Sequence, residues 1–121
     1  MGSMRRVWRA GTAAILVLAL VATAGPAAAA TIDITVANTG TRPIDGLYLS
    51  LSATDDWGPD QLNGVALGEG GTFVVRGVAC TTGSIVVVAE DAAGCFLYRS
   101  VSCGGDASWT ITNTSTRDCG R

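Results

Sequence analysis

The sequence contains no histidine and no lysine; all eight of its basic residues are arginine. Serine or cysteine nucleophiles activated by histidine, histidine-bound zinc hydrolases and Schiff-base chemistry each lack a required part. Paired carboxylates remain, because glycoside hydrolysis needs only two Asp or Glu at a defined separation. Asp55, Asp56 and Asp60 are close in sequence, but they fall in one loop of a domain too small to build a deep cleft. An enzyme is therefore not expected.

Charge excludes a second class. The export signal described next contains three arginines, leaving five arginines against ten carboxylates in the remainder. Scattered cations on a net negative surface do not make the basic footprint that nucleic-acid binding requires.

Long helical periodicity is also missing, except in the first thirty residues, which read as a targeting segment. Arg5, Arg6 and Arg9 form a basic start, Ala13 to Ala24 an apolar stretch, and Ala28-Ala29-Ala30 a peptidase site. A membrane span needs roughly 20 apolar residues in a run, whereas this stretch ends at Gly25-Pro26. The expected products are a signal peptide, 1–30, and one domain, 31–121, in the envelope or secreted, with no membrane span after cleavage.

All four cysteines lie in that domain. A small exported domain gains from cross-links, so two disulfides are the simplest reading. Zinc, the competitor, would have neither a C-x-x-C pair nor a histidine.

The rest of the chain is a series of short β-branched runs punctuated by Gly, Asn, Asp and Pro, which predicts an all-β fold. Ile32, Ile34 and Val36 alternate with polar residues in a first strand, and Leu47, Leu49 and Leu51 do so in a second. A polar, Gly-rich loop runs from Asp55 to Gly71, ending in a turn at Gly68-Glu69-Gly70-Gly71. Further strands are expected at 72–78, 84–90, 95–102 and 108–114. The run Ile85-Val86-Val87-Val88-Ala89 is apolar on both faces and should sit centrally. Six strands of this kind suggest two packed antiparallel sheets, an immunoglobulin-like sandwich; a small barrel is the alternative.

Asp91-Ala92-Ala93-Gly94 reads as a hairpin turn, with Glu90 facing Cys95 and Thr82 facing Cys103. Cys95 and Cys103 then occupy opposite ends of one strand, about 26 Å apart at ~3.3 Å per residue. A disulfide spans a Cα separation of at most about 7 Å, so that pairing and its complement, Cys80 with Cys119, are excluded. Cys80 with Cys95 would span the hairpin lengthwise. The expected pairs are Cys80 with Cys103 and Cys95 with Cys119.

Asp55-Asp56-Trp57-Gly58-Pro59-Asp60-Gln61-Leu62 is the most distinctive segment. Its structural reading has Asp55 or Asp56 making Asx turns, Asp60 capping a turn at Gln61-Leu62, and Trp57 packing as a lid on the sandwich end. A second reading gives Asp55, Asp56, Asp60 and Asn63 as oxygen ligands to calcium, at a spacing unlike the twelve-residue calcium loop; no other cofactor is expected. A third makes Trp57 and Tyr48 an aromatic platform for a glycan or a partner protein. Thr110, Thr112, Thr114 and Thr116 form an alternating row, the ordinary composition of an exposed strand. Asn113-Thr114-Ser115 matches the glycosylation acceptor pattern.

The stretch from Val36 to Leu62 resembles a group of small exported bacterial proteins. The shared features are a first strand ending near Asn38-Thr39-Gly40, the I-x-x-L-Y-x-S strand from Ile44 to Ser50, and the D-x-W-G-x-D-x-L loop, here Asp55 to Leu62 with one additional Asp. The resemblance implies location and fold type rather than an activity. Taken together, these features predict a non-enzymatic exported module that recognises a protein or glycan through the 55–63 loop. A secreted enzyme inhibitor and a calcium-dependent structural module are the alternatives.

Overall fold

The computed structural model describes residues 30–51, 56–81 and 83–120. Residues 1–29 of the expected signal peptide (1–30), Asp55 and the expected partner position Thr82 lie outside them. Six strands form: β1 (Thr31–Asn38), β2 (Ile44–Ser50), β3 (Gly71–Ala79), β4 (Ser84–Asp91), β5 (Phe96–Ser102) and β6 (Ala107–Ile111). They make two sheets of three, in the orders β3-β1-β6 and β2-β4-β5.

Alternation sets each strand's inner face. Ile32, Ile34 and Val36 of β1 meet Leu47 of β2, Val87 and Ala89 of β4, and Leu97 of β5 across the interior. Trp109 and Ile111 of β6 close the same core. β4 is central and its Val87, Val88 and Ala89 are fully buried, as its unbroken apolar run requires.

The topology differs from a wholly antiparallel sandwich in one pair: β1 and β6 are parallel, with Ile34 opposite Ala107 and Asn38 opposite Ile111. The last strand is also shorter than its threonine row suggests. It ends at Ile111, because the Ser115 Oγ accepts the Thr112 N–H and the Ser115 N–H donates to the Thr112 carbonyl, closing a turn. The second strand likewise stops before Leu51, which is exposed.

The β4–β5 hairpin is tighter than expected by one residue. Glu90 faces Phe96, not Cys95, and the Asp91 N–H donates to the Cys95 carbonyl. Asp91 causes the difference: its Oδ1 accepts the N–H groups of Ala93 and Cys95, so the turn shrinks to Ala92-Ala93-Gly94. Gly94 takes the left-handed conformation (φ 82°) that completes such a turn.

Both disulfides nonetheless pair as expected. Cys80–Cys103 ties β3 to the open end of the hairpin, and Cys95–Cys119 ties the C-terminal segment to its turn end. The Asp118 and Phe96 backbones exchange hydrogen bonds in both directions, so this segment begins to add to the outer edge of β5.

Candidate functional site

Asp60 organises the 56–66 loop. Its Oδ1 accepts the N–H groups of Leu47 and Leu62, both at 2.9 Å, and its Oδ2 accepts that of Gly64 at 3.1 Å. Burial pushes this carboxyl up, but the three amide donors outweigh that effect and hold it below the ordinary aspartate value. The Leu62 bond forms the turn cap read from the sequence, and the Leu47 bond fastens the loop to β2. Asp56 makes a second Asx turn by accepting the Gly58 N–H. Of the calcium candidates, Asp60 is thus turned onto backbone donors, while Asn63 sits exposed at φ 54° in the adjoining turn.

The loop runs beside the free side of β2. The Leu49 N–H donates to the Trp57 carbonyl, the Gln61 N–H to the Leu47 carbonyl, and Ile44 and Leu67 exchange both backbone bonds. Leu62 and Leu67 turn into the core and anchor it.

This path carries Trp57 to the outer face of the β2-β4-β5 sheet, rather than over the sandwich end. Tyr48, Val88 and Tyr98 stand side by side there, with Gly46, Glu90 and Phe96 in the next row. The Trp57 ring lies 6.0 Å from Tyr48, 5.2 Å from Phe96 and 6.2 Å from Tyr98, the last two edge to face. Beneath it Val88 is fully buried, although it points away from the main core. The Tyr48 ring lies over Gly46, where a Cβ would come within 2.6 Å of its hydroxyl. That hydroxyl makes a long bond, 3.4 Å, to Glu90 Oε1. Burial, then the nearby charges of Glu90 and Asp60, raises the phenol's pKa and keeps it neutral.

The pair Tyr48 and Trp57, singled out from the sequence, is therefore brought together. Phe96 and Tyr98 join them and were missed. Their i, i+2 spacing, opposite in phase to Leu97, is the signal that could have placed them on the same outer face. Tyr98 is the open end of the patch, 48% exposed.

A second polar cluster sits at the hairpin-turn end. Asp91, only 2% exposed, accepts Arg117 Nε at 2.7 Å and lies 3.6 Å from Arg42 Nε. Burial pushes its carboxyl up, but the Arg117 hydrogen bond, the Cys95 and Ala93 amides and the Arg117 charge bring it below the ordinary value. Asn38, also buried, donates to the Arg42 and Leu67 carbonyls and accepts the Gly40 N–H. The cavity between them is about 10 Å³, room for one water. Asn113 Oδ1 accepts the Thr41 N–H nearby. These groups satisfy one another and hold the β1–β2 and C-terminal connections together.

Among the described residues no three His, Cys, Asp or Glu side chains are grouped to hold a metal ion, and no helix is long and apolar enough to cross a membrane. No protein-family model matches the chain, and neither any curated protein nor any solved structure matches it.

Proposed function

We propose that the protein is an exported, non-enzymatic binding module that recognises a protein or glycan through the 55–63 loop and the aromatic patch beneath it. The observation that carries this reading is the placement of Trp57. Asp60 and the β2 edge hold it against Tyr48, Phe96 and Tyr98, with Tyr98 left open to solvent. Rigid aromatic rings at a loop supported by sheet are an economical contact surface, since little side-chain freedom is lost on binding. Two disulfides support residence in an oxidising compartment.

Trp57 fluorescence of the domain from Thr31 onward provides the test, because Trp8 falls in the expected signal peptide and Trp109 is enclosed in the core. A panel of soluble glycans and peptides should contain a ligand that shifts Trp57 emission in the wild type and loses affinity roughly tenfold or more in Tyr98→Ala. If every binder acts equally on wild type and Tyr98→Ala, the patch is structural. Inhibition of a hydrolase would favour the inhibitor reading, and a melting shift on adding calcium the metal-dependent one.

A further inference from the structure

The edges of the two sheets are not protected equally. The loop covers the β2 edge through the Trp57, Gln61 and Leu67 backbones. β3 is broken by a register shift opposite Ile32 and Ile34, and the Gly77 N–H there turns to Asp33 Oδ1. Bulges and covering segments are the usual guards of a sheet edge. β5 has such cover only at its start, where Asp118 pairs with Phe96. Since backbone groups alternate in direction along a strand, those of Tyr98 and Ser100 face outward as Phe96 does, while Leu97, Arg99 and Val101 face β4. No described segment pairs with Tyr98 or Ser100.

Space and side chains continue that edge on both faces. On the outer face stands the open Tyr98 ring, the end of the aromatic patch. On the inner side an open cleft of about 440 Å³ separates the edges of β5 and β6, lined by Arg99, Val101, Gly104, Asp106, Ala107 and Ser108. A strand laid along β5 would place alternate side chains on Tyr98 and into this cleft.

We infer that the partner is an extended peptide segment of another protein, added antiparallel to β5 at Tyr98–Ser102, with a neutral centre and basic ends. This deepens the binding-module reading above and rests on it. Charge selects the occupant. The described residues hold nine carboxylates and four guanidiniums. Exposed Asp118 stands at one end of the strip and Asp106 at the other, with Arg99 between. Basic ends meet the two aspartates, and a neutral centre avoids Arg99. A second copy of this chain brings the same negative excess and is disfavoured.

The probe is an acetylated, amidated peptide of alternating threonine and valine with an arginine at each end. Amide NMR of the disulfide-intact domain is expected to show shifts and slowed exchange at Tyr98 and Ser100. N-methylating the peptide on alternate residues should abolish binding. A peptide with glutamate ends should bind at least tenfold more weakly. Ser100→Pro should also abolish binding; its N–H lies outside the β4 ladder, so the fold tolerates the change. Unaltered binding by the N-methylated peptide or by Ser100→Pro, shifts confined to another edge, or self-association at β5 instead would each overturn the inference. A glycan that binds at Tyr98 and Trp57 without protecting those amides would also overturn it, while leaving the binding-module reading in place.

Discussion

At the scale of single residues, two carboxylates, half-buried Asp60 and buried Asp91, carry more of the structure than their composition suggests. Replacing Asp60 with alanine strands the N–H groups of Leu47, Leu62 and Gly64, and should cost about 1–3 kcal/mol in a urea melt. Asp91→Ala leaves the Arg117 guanidinium unpaired and two turn amides unsatisfied, and should cost about 3–5 kcal/mol. Both carboxyls have folded pKa values below those of the unfolded chain. Between the two values the unfolded chain binds more protons, so stability rises with pH there. Their contribution is complete above about pH 5, where the unfolded carboxyls are ionised too, and is lost as pH falls through the ordinary aspartate value and then the lower folded values. Urea midpoints measured between pH 6 and pH 2 should fall less steeply for Asp91→Asn than for the wild type.

At the scale of elements, the strands and both disulfides were legible because they follow from local rules. Period-two alternation marks the inner faces of β1 and β2, and the length of β5 alone forbids Cys95 from reaching Cys103. The hairpin register was not legible to one residue, because it depends on a side chain, Asp91, bonding its own turn. Nor could the path of Trp57 be read: a loop's direction is set by where its backbone finds partners, here the β2 edge. Gly46 belongs to the same interaction. Gly46→Ala should push the Tyr48 ring off the sheet and change Trp57 emission with little loss of secondary structure, since the obstructing atoms are the movable end of a side chain. The Cys95→Ala, Cys119→Ala double variant removes a cross-link spanning 24 residues and should lose about 2–4 kcal/mol. Exchange at the Phe96 amide should accelerate as Asp118 comes away.

At the scale of the whole molecule, the two staples divide the chain unevenly. Cys80–Cys103 and Cys95–Cys119 bind β4, β5 and β6 into one covalent network, whereas β1, β2 and β3 lie wholly before the first cysteine. Export and oxidation can be checked together: the intact mass should equal that of Thr31 to Arg121 less four hydrogens, and free thiols would contradict it. The same division predicts that reductant destabilises the C-terminal half first, visible as faster exchange in β4 and β5 before β1.

The parallel pairing of β1 with β6 also governs how the domain bears load. Tension applied at Ala30 and Gly120 pulls these neighbouring strands in opposite directions along their lengths, so their hydrogen bonds must fail together rather than unzip one by one. Once they fail, only the chain ahead of Cys80 can pay out, about 160 Å at roughly 3.3 Å per residue, while the remainder stays cross-linked. Stretched in a force microscope, the oxidised domain should resist as a shear clamp and then stop at that short extension. Reduction should lengthen the extension by letting the cross-linked half follow.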